Sequence, residues 1–273
     1  MAKIQLTDRT AVVTGAAGGI GRAIAVSLSR RGCHLALADV NEAGLAESAQ
    51  MATANRVRVS LHRLDVADRA AVAALPKAVT TAHSGVDLLV NNAGVALGGT
   101  FEQVSEKDFE WLFDINFWGV VRLTRAFLPL LKASNDARVV NLSSIYGIIS
   151  PPGQTAYSAS KFAVRGFSQA LRHELEGAGI GVTVVHPGGV ATSIAANARA
   201  YEGASADEIA RARDRAKKLL RLPPEAAGEL IVAGIERRKA RVLVGSDAKL
   251  IAILERLAPV SYWRILDRLR PRI

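Results

Sequence analysis

Short apolar runs alternate with longer helical patterns along most of this 273-residue chain. The runs are rich in β-branched residues and lack polar alternation, which predicts strands buried on both faces of a parallel sheet. Helical segments lie between them, among them Ile20–Arg31, Phe109–Lys132 and Tyr157–Glu176. The β-α-β-α order favours an α/β fold, a Rossmann-type, doubly wound sheet of about seven strands in three layers. The predicted strands are Thr10–Thr14, Leu35–Asp39, Val57–Arg63, Leu88–Asn91, Arg138–Leu142, Val182–His186 and Arg241–Val244.

Two segments depart from this alternation, although the hydrophobic content of 49% fits a single domain over residues 1–273. Residues 193–222 follow the sixth predicted strand, at the carboxyl end of the sheet where ligands bind, and could form a substrate lid or a surface helix pair. Residues 246–273 carry apolar residues at helical spacing beside several arginines, which predicts a basic amphipathic C-terminal helical extension. That extension could pack on its own domain, bury against a partner subunit or lie on an anionic membrane.

The net charge of +10 matters because a basic surface attracts nucleic acid, anionic lipid and acidic substrates. We favour a solvated basic face and expect no nucleic-acid partner, since charge alone supports one. The N-terminal residues lack the apolar run of a secretory signal, and the single cysteine, Cys33, cannot form an internal disulfide. A cytoplasmic location is therefore expected. The five histidines lack ligand-like spacing, so no metal site is expected.

A glycine-rich turn follows the first predicted strand and opens the first predicted helix. Glycines let the chain turn tightly and bring backbone N–H groups against a pyrophosphate at a helix N-terminus. A mononucleotide P-loop is excluded because no Gly-Lys-Ser/Thr follows. The turn therefore predicts a dinucleotide site formed by Gly15, Ala17, Gly18, Gly19, Ile20 and Gly21.

Asp39 ends the second predicted strand and is followed by Val40. A carboxylate at this place accepts hydrogen bonds from the adenosine ribose hydroxyls and repels a 2′-phosphate. No Lys or Arg lies in the glycine turn before Ile20. The pattern therefore favours NAD over NADP, with a helix-capping Asp in an ordinary loop as the alternative.

The segment Tyr157-Ser158-Ala159-Ser160-Lys161 places a phenol and an ammonium at i and i+4, on one face of a helix. A free tyrosine titrates near roughly 10 and is a poor base at neutral pH. A nearby fixed cation stabilises the phenolate and lowers that pKa. Taken alone, such a pair is more often found among surface residues.

Further motifs accompany this pair in a fixed order along the chain. They are Thr14-Gly15 with Gly19-Ile20-Gly21, then Asp65, then Asn91-Asn92-Ala93-Gly94, then Asn116, then Ser143-Ser144, then Tyr157 with Lys161, and last Pro187-Gly188-Gly189-Val190-Ala191-Thr192. In this order the sequence resembles the short-chain dehydrogenase/reductase family, in its single-domain branch. The resemblance covers nearly all of the chain up to about Thr192.

The resemblance implies an oxidoreductase that moves a hydride between NAD(H) and an alcohol or ketone. Tyr157 would act as general acid or base on the substrate oxygen. Ser144 would hydrogen-bond that oxygen, and the family spacing selects it over its neighbour Ser143. Lys161 would bind the nicotinamide ribose and favour the tyrosine anion, and Asn116 would hold a proton-relaying water.

The resemblance also implies cofactor contacts outside the glycine turn. Asp65 and the backbone at Val66 would contact the adenine. The strand-end residue Asn92 could instead be a turn former, and Asn116 a buried polar residue satisfied by backbone. His186 is interpreted as structural. The full implied set is Asp39, Val40, Asp65, Val66, Asn92, Ala93, Gly94, Tyr157, Lys161, Pro187, Gly188, Val190 and Thr192.

The family places its substrate over the nicotinamide, which here predicts a mostly apolar lining and a hydrophobic secondary alcohol or ketone. An NADPH-dependent 3-ketoacyl reductase is the enzymatic alternative, and a dinucleotide-sensing or scaffold protein is the non-enzymatic one. Family members associate through helices that here contain Trp111–Lys132 and Tyr157–Glu176, so a homodimer or homotetramer is expected. The predicted lining residues are Val95, Ala96, Leu97, Ser144, Ile145, Tyr146, Gln154 and Tyr157, with residues near Ile194.

Overall fold

The computed structural model describes residues 3–269 and contains nine strands and ten α-helices in that range. The strands are β1 (Thr10–Thr14), β2 (His34–Asp39), β3 (Val59–Arg63), β4 (Leu88–Asn91), β5 (Leu97–Gly98), β6 (Arg138–Leu142), β7 (Gly181–Pro187), β8 (Arg199–Ala200) and β9 (Arg241–Val244). The helices are α1 (Gly19–Ser29), α2 (Glu42–Thr53), α3 (Arg69–Ala82), α4 (Glu106–Phe113), α5 (Gly119–Ala133), α6 (Thr155–Glu174), α7 (Ala206–Leu219), α8 (Pro224–Glu236), α9 (Ser246–Leu257) and α10 (Tyr262–Leu269).

Seven of the strands form one parallel sheet in the order β3-β2-β1-β4-β6-β7-β9. The chain adds strands on one side of β1 and then returns to add β4 and its successors on the other side. This reversal leaves a crevice at the carboxyl ends of β1 and β4, where ligands bind in such folds. The predicted doubly wound sheet is confirmed.

Helices cover both faces of the sheet. Because neighbouring residues of a strand point to opposite sides, each central strand contributes side chains to two cores. Val13 of β1 packs in one cluster with Ile24 and Leu28 of α1. Its neighbour Val12 packs in the other cluster with Phe127 of α5. The three-layer arrangement is therefore confirmed, and the strand residues that form the two cores are apolar on both faces.

The prediction for the third strand was wrong about its burial. The run Val57–Arg63 was expected to be buried on both faces, but β3 begins at Val59 and its residues are partly or fully exposed. Leu61, for example, is 45% exposed. The reason is position, since β3 is the edge of the sheet and an edge strand is only partly covered.

The predicted helix Phe109–Lys132 was wrong in its regularity. The chain is helical from α4 to α5, but a π-helical turn, Asp114–Trp118, separates the two α-helices. The helix also starts earlier than predicted, because Ser105 caps α4 by accepting a hydrogen bond from Asp108 N. Such a π-turn inserts one residue into the helix and redirects the side chains that follow.

The segment after β7 begins with a short strand and continues with an exposed helix. Strand β8 pairs with β5 through Leu97 and Arg199. Helix α7 starts in a capping box at Ser205 and Glu208, and none of its residues is buried. The segment therefore holds one surface helix rather than the alternative pair, and β8 ties it to the residues that follow β4.

One face of the C-terminal extension packs on its own chain, as in the first of the three alternatives. Ala248 and Ala252 of α9 pack with Ile145 in a small cluster, and Tyr262 and Leu266 of α10 lie against it. The predicted extension ran to residue 273, and residues 270–273 lie outside the described range. Among residues 3–269, none of the helices has the length and apolar character that crossing a bilayer requires.

Candidate active site

The glycine turn between β1 and α1 has no room for a side chain at Gly15 or at Gly21. Gly15 and Gly19 have φ angles of +64° and +52°, a region that side-chain-bearing residues seldom adopt. A Cβ on Gly21 would lie 2.0 Å from the carbonyl oxygen of Gly15. Gly18 is the N-cap of α1 and supplies no side-chain cap, while a Cβ on it would meet nothing within 4 Å. The helix N-terminus is therefore open toward the crevice, as an anionic pyrophosphate requires.

Asp39 lies against this turn at the end of β2. One carboxylate oxygen accepts a hydrogen bond from Ala17 N at 3.0 Å, and the other accepts from Asn41 N at 3.0 Å. The adjacent cation, Arg22, is engaged elsewhere. Its guanidinium donates to Ala17 O at 2.6 Å and forms an ion pair with Glu47 at 2.7 Å. The Arg22 guanidinium is thus already paired with an acid of α2.

Asn92 joins the end of β4 to the glycine turn. Its side-chain amide donates to the carbonyl oxygens of Thr14 and Gly15 at 3.0 and 3.1 Å. The Thr14 hydroxyl in turn accepts from the backbone N–H groups of Asn92 and Ala93, both at 3.1 Å. Asn92 therefore has a defined structural contact, which fixes the distance between two edges of the crevice.

Two other predicted adenine contacts lie at the end of β3. Asp65 is exposed, and its carboxylate accepts from Ala67 N at 2.9 Å. Val66 is buried beside Gly119, where a Cβ would lie 2.9 Å from a Val66 methyl group. The Val66 side chain is thus enclosed by protein.

Three polar side chains meet at the carboxyl end of β6. Ser144 follows the strand and caps a 3-10 turn by accepting from Tyr146 N at 3.1 Å. The Ser144 hydroxyl is close enough to the Tyr157 phenol to act on its pKa, which it lowers. The Lys161 ammonium lies 5.7 Å from the centroid of the Tyr157 ring and donates to Leu142 O at 3.2 Å. The structure therefore brings together the three groups that the sequence predicted would meet.

Burial shapes the ionisation of this trio. Burial raises the pKa of Tyr157 to about 12, although the Ser144 hydroxyl acts in the opposite direction. Burial also lowers the pKa of Lys161 to about 8. Both shifts favour the neutral form because removing a charge from water is costly. The expectation that a neighbouring cation lowers the tyrosine pKa was therefore wrong for this site, because burial outweighs it. At neutral pH the phenol keeps its proton and can donate it.

Asn116 sits in the π-helical turn, fully buried beside the trio. Its side-chain oxygen accepts from Val95 N at 2.8 Å, and its amide donates to Val95 O at 3.0 Å and to the Ser160 hydroxyl at 3.2 Å. Gly94 lies between, because a Cβ there would be 3.1 Å from Asn116 Oδ1 and 3.3 Å from Lys161 Nζ. The amide thus ties the strand end after β4 to the tyrosine helix α6.

Two polar residues near the trio point away from it. The Ser143 hydroxyl is buried and donates to the carbonyl oxygen of Lys161 at 2.8 Å. His186 is fully buried, and its Nδ1 donates to the carbonyl oxygen of Ser144 at 2.9 Å. Burial lowers the pKa of His186 to about 4, so the ring is neutral at neutral pH. Both residues fix the backbone that carries the active hydroxyl.

The segment after β7 crosses in front of the glycine turn. A Cβ on Gly19 would lie 3.1 Å from a Thr192 methyl carbon. Gly189 N donates to the Asp247 carboxylate at 2.7 Å, and Gly188 N donates to Val244 O at 2.9 Å. Val190 is buried. These contacts place the Pro187–Thr192 segment over the crevice.

The predicted substrate lining divides into two groups. The Tyr146 ring meets the Tyr157 ring edge-on, with the ring centroids 6.0 Å apart. The backbone of Gln154 forms an isolated parallel β-bridge with that of Gly99. Leu97 is only 2% exposed and packs with Leu112 and Ala156. Ile145 is 8% exposed and packs under the C-terminal extension. Both aliphatic side chains are therefore largely enclosed by protein, whereas Tyr146 lies beside the phenol.

An anchor between the segment after β7 and helix α4 was missed by the sequence analysis. The Arg199 guanidinium lies 3.6 Å from the centroid of the Trp111 ring and 2.6 Å from the Asp108 carboxylate. Asp108 and Trp111 lie in α4, whereas Arg199 lies in β8, far along the chain, so no local pattern pointed to it. The anchor holds one edge of the candidate lid to the protein.

Comparison with known proteins agrees with this geometry. A family model described as short chain dehydrogenase matches residues 9–203. The SadH protein of Mycobacterium tuberculosis is 45% identical over 260 residues, which cover 94% of each chain.

Two solved structures are similar over most of their length. A short-chain dehydrogenase/reductase from Burkholderia phymatum, in complex with NAD, is 32% identical with a TM-score of 0.86, covering 94% of this chain and 95% of that one. A short-chain dehydrogenase from Mycobacterium paratuberculosis, bound to NAD, is 25% identical with a TM-score of 0.77, covering 88% and 97%. The chain described here belongs to the short-chain dehydrogenase/reductase family of oxidoreductases.

Proposed function

We propose that this protein transfers a hydride between NAD(H) and the carbinol or carbonyl carbon of a hydrophobic secondary alcohol or ketone. The observation that carries the proposal is the convergence of Ser144, Tyr157 and Lys161 at the same edge of the sheet as an open helix N-terminus. A dinucleotide fits these residues. Its pyrophosphate would accept hydrogen bonds from the uncapped N–H groups at the start of α1, and its ribose hydroxyls would donate to the Asp39 carboxylate.

The three side chains have separate tasks in this proposal. When bound, NAD supplies the carbon that accepts or gives the hydride. Tyr157 gives its proton to the carbonyl oxygen in reduction and takes it back in oxidation. Ser144 donates a hydrogen bond to that oxygen, which stabilises the charge developing there. Lys161 lies within reach of the phenol ring and favours the tyrosine anion once a proton has left.

The choice of NAD over NADP rests on Asp39. Its carboxylate lies at the glycine turn, where it would accept from ribose hydroxyls and repel a phosphate. Arg22 is the cation that could offset this repulsion, and its pairing with Glu47 supports the preference. The Burkholderia and M. paratuberculosis structures each hold NAD.

A hydrophobic substrate is supported by the groups that surround the phenol. Val95 and Tyr157 lie against an apolar cluster that includes Leu97 and Leu112. Gln154 and Tyr146 are the polar groups near this side of the site, and they would orient a ligand rather than pair with its charge. The predicted lining residues, all within the described part of the chain, carry no charged side chain that would pair with a small charged hydroxy acid.

The protein is further proposed to work as a homodimer or homotetramer. The apolar side chains of Trp118 and Phe162, near the start of α5 and on α6, are 48% and 38% exposed. Large exposed aromatic residues on long helices are typical of subunit interfaces. Light scattering at several protein concentrations measures the assembly, and a monomer at all of them would contradict this part.

The cofactor is tested by titrating NAD and NADP into the wild-type protein and into Asp39→Ser. We expect tighter binding of NAD by the wild type and loss of that preference in the variant. Glu42→Gln is the matched control, because this nearby carboxylate pairs with Arg63 instead of facing the turn, and it should behave like the wild type.

Turnover is tested with a panel of apolar alcohols and ketones, followed at the absorbance band of the reduced nicotinamide. Turnover with NADPH alone would favour a 3-ketoacyl-reductase type of enzyme and contradict the proposal. Tight NAD binding without turnover of any member of the panel would instead favour a sensing or scaffold role.

A further inference from the structure

Helix α9 has an apolar face on each side. On the inner side Ala248 and Ala252 pack against the chain. The opposite side carries large apolar residues that are mostly exposed, and Val260 follows them directly after the helix. Their exposed fractions are 68% for Leu250, 57% for Ile253, 78% for Leu257 and 94% for Val260. A contiguous set of this kind is unusual for a surface that faces only water.

Basic side chains border these apolar residues. Lys249 and Arg256 are both exposed and follow the apolar stripe along one side of the helix, at i and i+7. They line one groove with Arg241 of the edge strand β9, and its apolar wall is formed by Leu243, Ile253 and Leu257. We call Lys249, Leu250, Ile253, Arg256, Leu257 and Val260, together with Arg241, the α9 face.

The acidic residues of the same helix are directed elsewhere. The Asp247 carboxylate accepts a hydrogen bond from Gly189 N, in the segment after β7. Glu255 is only partly exposed. Burial and the nearby Arg165 lower the pKa of Arg241, and Glu255 opposes this shift only in part. The α9 face itself therefore combines positive charge with apolar surface.

We propose that the α9 face docks on a lipid bilayer that contains anionic phospholipid. A helix that lies in a membrane interface places its apolar side chains at the acyl boundary and its Lys and Arg at the headgroups, as this face would. Each cation near an anionic surface adds to the attraction. A second copy of this chain is the weaker candidate, because a symmetric contact would bring Lys249 and Arg256 close to their own equivalents.

Docking through the α9 face would leave the contacts between the tail helices and the candidate active site in place. The inner side of α9 packs on Ile145, in the turn that follows Ser144. The Tyr262 hydroxyl of α10 accepts a hydrogen bond from Ser150 N at 3.0 Å. The two tail helices thus form a layer between the α9 face and the loop that carries the active serine, so the bilayer would lie next to that side of the protein.

The test is co-sedimentation of the full-length protein with two kinds of vesicle, phosphatidylcholine alone and phosphatidylcholine mixed with phosphatidylglycerol. We expect binding to the anionic vesicles and at least tenfold weaker binding to the neutral ones, with the difference shrinking as salt is raised. Lys249→Glu/Arg256→Glu should weaken anionic binding roughly tenfold or more. Leu250→Ser/Ile253→Ser/Leu257→Ser should weaken binding to a similar degree or more, because burial of these side chains would drive insertion.

Matched controls lie on remote surfaces. Arg69→Glu/Lys77→Glu reverses two exposed charges on α3, and Met51→Ser/Leu61→Ser removes two exposed apolar side chains. Both controls should bind like the wild type. All variants change exposed residues, so circular dichroism should show unchanged folding.

Three results would overturn the proposal. The first is no sedimentation with anionic vesicles, and the second is equal loss of binding in the controls and in the α9 variants. The third is a concentration-dependent dimer that the triple serine variant abolishes without any vesicle binding, which would assign the face to a second copy. The assay needs no turnover, so its outcome is separate from that of the proposed oxidoreductase activity.

Discussion

The chain up to Thr192 and two later segments, 193–222 and 246–269, are held in different ways. In the first region, the polar side chains of the site are bonded across elements, as when Asn92 binds the glycine turn and Asn116 binds Val95. In the second region, α7 buries no residue and α9 buries only Ala248 and Ala252. Reacting groups need fixed geometry, whereas a lid and a docking helix need loose attachment. The first region is thus suited to chemistry, and the second to admission and placement.

The largest expected effect on kcat is that of removing the phenol hydroxyl of Tyr157, compared with removing that of Tyr262 in the second region. Tyr157→Phe should lower kcat by about a thousandfold, because the proton donor is lost while the ring and its packing remain. Tyr262→Phe removes a hydroxyl that accepts from Ser150 N in the tail, and kcat should change little. Steady-state kinetics and NAD titration measure both, and NAD affinity should be retained. Equal losses in the two variants would erase the proposed division.

The neighbouring serines sharpen the comparison within the first region. Ser144→Ala should lower kcat about a hundredfold with little change in stability, because it removes a donor to the substrate oxygen. Ser143→Ala should instead lower stability and leave kcat largely unchanged, since it removes a buried hydrogen bond to Lys161 O. Its free energy of unfolding should fall by about 1 kcal/mol with kcat largely kept. Denaturant titration beside kinetics decides this, and a larger kcat loss in Ser143→Ala would reverse the assignment.

Acid should weaken the first region through His186. Burial lowers the pKa of His186 to about 4 in the folded protein, whereas a histidine of the unfolded chain titrates near roughly 6.5. Between these two values the ring is neutral in the folded protein and protonated in the unfolded chain. Stability from this group is present above about pH 6.5 and is lost as the pH falls toward about 4.

The comparison is between the wild type and His186→Asn, whose amide can still donate to Ser144 O but does not titrate. Between pH 7 and pH 5 the wild type should lose about 2 kcal/mol more of its unfolding free energy than the variant. Urea titrations at the two values measure the difference. Identical losses would show that this ring does not titrate as described.

The smallest expected effect belongs to the second region. Arg199→Ala removes the stacking on Trp111 and the ion pair with Asp108, which should loosen the lid edge. We expect KM to rise about fivefold, since a partly exposed pair of this kind contributes about 1 kcal/mol, while kcat changes less. Arg69→Ala, an exposed arginine on α3, is the control. A kcat loss comparable to that of Ser144→Ala would place Arg199 in the chemistry instead.

Most of the sheet could be predicted because its signal is local. Thr10–Thr14, Leu88–Asn91, Arg138–Leu142 and Arg241–Val244 are strands at the predicted bounds, since short β-branched runs have few other stable forms. The exposure of Leu61 could not be predicted, because nothing local says which strand is the edge.

The site was predictable where one segment holds both partners, and not elsewhere. Tyr157 and Lys161 share a helix face, so their proximity follows from spacing. The π-helical turn at Asn116 depends on how α4 and α5 pack, and the enclosure of Ile145 depends on a helix a hundred residues later in the chain. Likewise, the Arg199 anchor joins residues far apart in sequence. Contacts of this kind arise only when the elements pack together.

The most direct measurement of the central claim follows one atom. A secondary alcohol deuterated at its carbinol carbon is incubated with the protein and NAD, and the nicotinamide product is analysed by mass spectrometry. Direct transfer beside Ser144, Tyr157 and Lys161 predicts NADH that carries the deuterium in the wild type and almost none formed by Tyr157→Phe. Unlabelled NADH, or bound NAD that is never reduced by any apolar alcohol, would contradict it.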